Sequence, residues 1–526
     1  MPTISGQQLI GHRATNSPTT TFSAINPESG MPLPVLFHEA TALEVDQAVQ
    51  LAETAFPIYS QKSPEEIAQF LEQIANEILA LGDTLIQRAT AETALPQGRL
   101  QGERGRTMNQ LKLFASVVRE GSWVDARIDT AQPDRQPAPK ADIRHLLRPI
   151  GPVAVFGASN FPLAFSVAGG DTASALASGC SVVIKGHPAH PGTSELVGKA
   201  IIEAAKKTGM PEGVCSLIQG KTNEVGGHLV LHPLIQAVGF TGSFRGGKAL
   251  FDRANQRPVP IPVFAEMGST NPVFILPDAL NTKGAAIASG LANSITLGVG
   301  QFCTNPGLVF GLQSSQFTDF QDNLNKAINS ITAGTMLTSG IQNAFEKGLE
   351  QLQNQAAIQV LSQGSKAPTE CSAVATLLST DYTNFKKNPA WAEEIFGPSS
   401  LLVTTNDKSE ILSAAKNLSG HLTATIHGTP KDFANFSELF PILERKVGRV
   451  LLNGFPTGVE VCHSMVHGGP FPATTAPQTT SVGTNAIKRF VRPVCYQNFP
   501  NELLPDALKK DNPLNIWRLV DGQWKQ

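Results

Sequence analysis

The chain has 526 residues, 41% of them hydrophobic and 16% charged, with a formal net charge of −2. That length exceeds what one hydrophobic core organises, so two or three domains are expected. Near-neutral charge without a Lys/Arg run excludes a nucleic-acid face and a membrane-surface patch, and no apolar run is long enough to span a bilayer.

The start, Met1-Pro-Thr-Ile-Ser-Gly6, is not expected to be a signal peptide, and the first forty residues are Thr/Ser/Pro-rich and read as an extended arm. Val45, Ala48, Val49, Ala52, Ala55 and Phe56 then recur at helical spacing. Ser63, Pro64 and Glu66 form a capping box ahead of the stripe Ile67, Phe70, Leu71, Ile74, Ile78. Helical pattern continues over 104–118. A polar, Pro-rich stretch at 129–141 reads as a connection or a protruding ribbon. From 153 the texture changes to short β-rich runs (153–156, 181–184, 214–218, 237–240, 263–265) alternating with helices near 162–178, 194–207, 224–231 and 245–254. Regular alternation of this kind predicts βαβ units and a parallel sheet, with ligands beyond the carboxyl ends of the strands. A second α/β region follows over about 271–469, with helices near 284–296 and 318–333 and strands at 272–275, 308–310 and 422–426.

The candidate chemistry sits at strand ends and in loops. Cys303 lies between Gly300 and an Asn-Pro-Gly turn, so its thiol is either a nucleophile or an inert small hydrophobe. The six cysteines (180, 215, 303, 371, 462, 495) lack CxxC spacing, which predicts neither a disulfide framework nor a metal site and fits a reducing cytoplasm. Glu266 closes a strand; it is either a capping or ion-paired carboxylate, or a general base whose pKa apolar neighbours raise. Asn160 follows another strand and serves as an N-cap or as an oxyanion donor paired with the Cys303 backbone N–H. Lys185 is a solvated charge or a ribose- or phosphate-holding group. Gly242 and Ser243 open a helix and suit a pyrophosphate through free N–H groups, or make a plain turn. The turn after Phe156 lacks GxGxxG and is no dinucleotide fingerprint on its own.

In order and context these segments resemble the aldehyde dehydrogenase superfamily over nearly the whole chain. Ser159-Asn-Phe-Pro162, Phe240-Thr-Gly-Ser243, Glu266-Met-Gly-Ser, Gly300-Gln-Phe-Cys303 and Glu394-Ile-Phe-Gly-Pro398 look like that family's ordered motifs. The resemblance implies an α/β fold: an NAD(P)-binding domain (1–128 and 148–265), a catalytic domain (266–470) and an oligomerisation and C-terminal segment (129–147 and 471–526). It makes Cys303 the nucleophile, Glu266 the base and Asn160 part of the oxyanion hole. Lys185, Gly242, Ser243, Glu394, Phe396, Phe156 and Pro188 line the cofactor site. Where NAD-preferring members carry an acidic residue, this chain has Pro188, so NADP is expected to be accepted or preferred over NAD, with His187, His190 and Lys221 adding contacts.

Lys185-Gly-His-Pro-Ala-His-Pro-Gly, Gln301-Phe-Cys-Thr-Asn-Pro-Gly and His467-Gly-Gly-Pro-Phe-Pro resemble the 2-oxoglutarate semialdehyde (2,5-dioxopentanoate) dehydrogenase branch. That branch also holds an NADP-dependent long-chain aldehyde dehydrogenase. A CoA-acylating member is disfavoured by the presence of Glu266, a non-enzymatic descendant of the fold by the presence of both Cys303 and Glu266, and a plain thiol hydrolase by the strand-end Lys185 and the Gly242 turn. A substrate of this kind needs a cation for its distal carboxylate, for which Arg106 is the candidate. His467 is the candidate proton relay. The resemblance also implies a small-molecule aldehyde substrate and a cytoplasmic homodimer or homotetramer, paired through 141–147 and 488–496.

Overall fold

The computed structural model of the protein describes residues 3–17 and 19–526. Two seven-stranded sheets organise it. The first runs Val263–Glu266, Ala237–Thr241, Val153–Phe156, Val182–Lys185, Cys215–Ile218, Gln8–Ile10, Arg13–Thr15. Its first five strands are parallel and mostly apolar where buried, Ser216 and Glu266 excepted, as expected of strands covered on both faces. Strand order reverses between Val153–Phe156 and Ala237–Thr241, and a crevice opens at such a switch point. The N-terminal arm supplies the last two strands at one edge, both antiparallel, with Leu9 of the inner one paired to Leu217.

The second sheet runs Gln359–Gln363, Thr376–Asp381, Ser399–Thr405, Leu308–Leu312, Val273–Ile275, His421–His427, Val447–Leu452, parallel except at its first strand. Its core centres on Phe274 stacked over Phe310, ring centroids 5.1 Å apart. A third sheet pairs Ile143–Pro149 with Val491–Gln497 in seven antiparallel registers. Among the described residues no helix is long and apolar enough to cross a membrane.

Two helices differ from expectation. The run read as helical over 162–178 is helical only in Gly170–Ala177. Residues 162–169 are held as turns by Glu103, whose Oε1 accepts from the N–H groups of Leu163 (2.8 Å) and Ala164 (3.0 Å). The helix expected over 284–296 is present, but an unexpected short helical stretch from Pro277 precedes it across a kink at Lys283.

The helix Pro191–Lys207 begins beside the Lys185 strand end, and its first turn is capped from a distance. Buried Glu92 accepts from Gly192 N, Thr193 N (each 2.8 Å) and Thr193 Oγ1 (2.7 Å), and pairs with Arg88 at 2.8 Å. A carboxylate at a helix N-terminus satisfies donors that otherwise go unmet. Glu92→Ala leaves those donors and Arg88 unpaired, and is expected to cost about 3 kcal/mol. A melting temperature equal to wild type in calorimetry contradicts this.

Candidate active site

A cavity of about 860 Å³ opens where the two sheets face each other, lined by Asn160, Ser243, Glu266, Cys303, Glu394 and Phe396 among others. The turns after Val153–Phe156, Ala237–Thr241 and Val263–Glu266 supply one wall, the crevice the strand order calls for.

Cys303 reaches the cavity through an unusual turn. Gly298, Val299 and Gly300 all have left-handed φ (56°, 59° and 65°), and at Val299, β-branched, this conformation is strained. A Cβ on Gly300 would lie 2.3 Å from the Gly397 carbonyl, so the thiol loop and the Glu394–Pro398 segment touch backbone to backbone. Fully buried Asn271 fixes the other side. Its Nδ2 donates to the carbonyls of Cys303 and Asn305 (2.9 Å each), while its Oδ1 accepts from Ser269 and Thr423 (3.0 Å each).

Three reactive groups converge. The Cys303 sulfur is 3.4 Å from His467 Nε2, which lies 2.9 Å from Glu266 Oε1, and the Ser481 hydroxyl donates to Glu266 Oε2 at 2.6 Å. Burial pushes the Cys303 thiol well above its ordinary pKa, and the Glu266 carboxylate pushes it further. Glu266 departs from expectation. Burial raises its pKa, but His467, Ser481 and the thiol together outweigh burial and hold it below the usual carboxylate value. The expectation of a raised pKa counted apolar neighbours along the chain and missed these partners, which arrive from residues 303, 467 and 481.

Asn160 begins no helix, which removes its N-cap reading; its Nδ2 donates to the Gln301 carbonyl (3.0 Å), two residues from the thiol. The Arg99 guanidinium lies over Phe161 and Phe302 (5.1 and 5.0 Å) and donates to the Asn160 carbonyl.

Arg106, on the helix Gln97–Glu120, lies within electrostatic reach of the thiol. It packs 4.9 Å over Phe165, and its Nη1 and Nη2 are buried with no hydrogen-bond partner among the described residues. Burial lowers its pKa, and the carboxylates of Glu103 and Glu266 oppose that. An unpaired buried guanidinium is costly unless an anion arrives.

The remaining residues suit a dinucleotide in part. Glu394 accepts from Ser269 N (3.3 Å) and sits where a Cβ on Gly268 would meet its Oε2 at 2.3 Å; burial raises its pKa to about 7. Phe396 lines the cavity beside it. Lys185 ends its strand as expected and donates to the Gly220 carbonyl (2.5 Å). Ser243 caps the helix Phe244–Asn255 through Gly246 N, and that exposed first turn borders the cavity. Gly242 is a correction: its N–H is taken by the Glu266 carbonyl at 3.0 Å, so it offers no free donor. Phe156 is a second, since its ring is core, packed against Phe240 and Gly226. His190 is a third: fully buried, its Nε2 bonded to the Ala158 carbonyl, it cannot meet a phosphate. Pro188 lies half-buried in the turn after Lys185. The sequence reading also missed Phe244 and Phe471, stacked edge to face at the cavity mouth.

A family model described as "Aldehyde dehydrogenase family" matches residues 13–470. The chain is 52% identical to "Alpha-ketoglutaric semialdehyde dehydrogenase 2" of Azospirillum brasilense, over 99% of each chain. It is 47% identical to "Alpha-ketoglutaric semialdehyde dehydrogenase" of Acinetobacter baylyi, over 98% of each. Among solved structures, betaine aldehyde dehydrogenase of Staphylococcus aureus in complex with NAD+ matches in fold with TM-score 0.80 and 21% identity, over 94% of this chain and 95% of that one.

The raised thiol pKa has a direct readout. Iodoacetamide labelling of Cys303 in the free protein is expected to be slow at pH 7.5 and still accelerating above pH 9, because only the thiolate reacts. Glu266→Gln removes the neighbouring negative charge and should shift that profile to lower pH. A wild-type rate already at its plateau by pH 8 contradicts the account.

Proposed function

The chain belongs to the aldehyde dehydrogenase family, and from that premise we propose that it oxidises 2-oxoglutarate semialdehyde to 2-oxoglutarate through a thioester on Cys303. The observation that carries the substrate is Arg106, a buried guanidinium with both Nη atoms unpartnered among the described residues, within electrostatic reach of the thiol. The substrate named for both close relatives bears a carboxylate remote from its aldehyde, the group such a cation would clamp.

Oxidation of the aldehyde proceeds from residues already in contact. The Cys303 proton passes to the Glu266–His467 pair, and the thiolate attacks the carbonyl carbon. The oxyanion so formed is met by the Asn160 amide and the Cys303 backbone N–H, which act as preorganised donors. A bound nicotinamide cofactor supplies the two-electron sink for oxidation at that carbon. Once the first proton has passed from the pair to solvent, Glu266, held in its ionised form by its partners, takes a proton from water; the hydroxide adds to the acyl carbon, the Cys303 thiolate leaves, and the acid is released. His467, 3.4 Å from the sulfur, acts as the proton relay between the two.

The family's cofactor is NAD or NADP. Residues 1–128 and 148–265 hold it: Lys185 on the adenosine ribose, Ser243 and its helix turn on the pyrophosphate, with Glu394 on the nicotinamide ribose beside Phe396. Residues 266–470 carry the chemistry. The free edge of Val491–Gln497 in the third sheet joins copies of the chain into a dimer or tetramer.

Cys303→Ala is expected to abolish dehydrogenation. Glu266→Gln should leave a rapid burst of reduced cofactor followed by turnover slower by about 100-fold or more, since hydrolysis loses its base. Unchanged steady-state rates in either variant would overturn these roles. Arg106→Ala should raise KM for 2-oxoglutarate semialdehyde by about tenfold or more, while KM for an uncharged aldehyde such as hexanal stays within about twofold. Equal effects on both substrates would remove Arg106 from carboxylate recognition.

A further inference from the structure

The strand Cys215–Ile218 runs into the turn Gln219-Gly220-Lys221-Thr222, and the segment before the first helix crosses that turn. Ala40 N donates to the Gln219 carbonyl at 2.9 Å. The preceding residue, Glu39, is buried and points its carboxylate at the same turn. Glu39 Oε1 accepts from Thr222 N at 2.7 Å and from the Thr222 hydroxyl. Both contacts fall on Oε1, and among the described residues no hydrogen bond falls on Oε2. A Cβ on Gly220 would lie 3.4 Å from that Oε1, and Lys185 Nζ donates to the carbonyl of the same Gly220. Glu39 and Lys185 therefore flank one glycine. The ammonium feels the carboxylate, whose charge opposes the lowering of its pKa by burial.

We propose that Glu39, reaching in from the N-terminal arm, selects NAD over NADP: its carboxylate accepts from the hydroxyls of the adenosine ribose held by Lys185 and repels a 2′-phosphate on that ribose. The inference rests on the placing of the adenosine ribose at Lys185 given above. It reverses the NADP preference expected from Pro188, because the carboxylate missing at that position is supplied by residue 39.

The other groups around the turn do not offset this charge. His190 is bonded to Ala158 and Ser194, and His187 stacks on it at 5.5 Å with its Nδ1 accepting from Ala189 N. Burial and the neighbouring positive groups keep His187 neutral. Lys221 is exposed. Lys185 Nζ already donates to the Gly220 carbonyl. A single anion beside the ribose thus decides the preference, as a repulsive element does where attraction is shared.

The test compares binding of NADH and NADPH by their fluorescence on the protein, alongside kcat/KM for NAD and NADP with one aldehyde. Wild type should bind NADH at least about tenfold tighter than NADPH, given a carboxylate near a phosphate dianion. Glu39→Gln keeps an acceptor for Thr222 N and removes the charge. It should narrow the ratio at least about fivefold, chiefly through tighter NADPH binding. Glu39→Asp, which keeps the charge, should retain NAD selectivity, and melting temperatures report whether each variant is folded. A wild-type preference for NADPH, or a ratio unmoved in a folded Glu39→Gln, overturns the inference. If Lys185→Ala leaves both affinities unchanged, it is the placing of the ribose that fails, and the proposal with it.

Discussion

The rest of the site answers to one electrostatic constraint: a sulfur that must become an anion lies within 4.8 Å of a carboxylate that already is one. Two adjacent negative charges in low dielectric repel strongly, so the pair shares its protons instead of ionising independently. Ser481 and His467 both face Glu266, and each lowers its proton affinity. The thiol consequently carries the proton in the resting state, and the carboxylate stands ready to receive it. Nucleophile and base are coupled through one proton that passes between them.

Holding that pair in place takes contacts from both sheets. Asn271 ties the thiol loop to Ser269, just after the strand that bears Glu266. The left-handed turn at 298–300 lets the loop rest on Gly397, next to the segment that carries Glu394. A strained Val299 persists because these neighbours over-determine the backbone around it. On the opposite wall, Glu103 pins the Leu163–Ala164 turn and Arg99 packs between Phe161 and Phe302, joining the Asn160 turn to the thiol loop.

Much of this was legible in the sequence because it is local. Strand–turn–helix punctuation placed Asn160, Lys185, Ser243 and Glu266 at strand ends, and a Gly/Pro-bounded segment put Cys303 in a loop. The family resemblance set them in order. What escaped was whatever depends on partners far along the chain. Glu103, Asn271, Ser481 and Glu39 are ordinary polar residues with no local motif, and their work is done 32 to 215 positions away. The same blindness gave Glu266 the wrong direction of pKa shift and left Gly242 with a donor that Glu266's own carbonyl consumes. The over-long helix at 162–178 arose because small residues fit a helix well, and nothing nearby announced that Glu103 would hold the first eight as turns.

The guarded state of the nucleophile bears on how long the protein lasts in a cell. Peroxides attack thiolates and largely spare thiols, and over-oxidation beyond the sulfenic stage is irreversible. A cysteine kept protonated until it is needed spends little of its lifetime in the vulnerable form. Its neighbours thus act as a chemical safety catch, trading instant readiness for resistance to damage between turnovers.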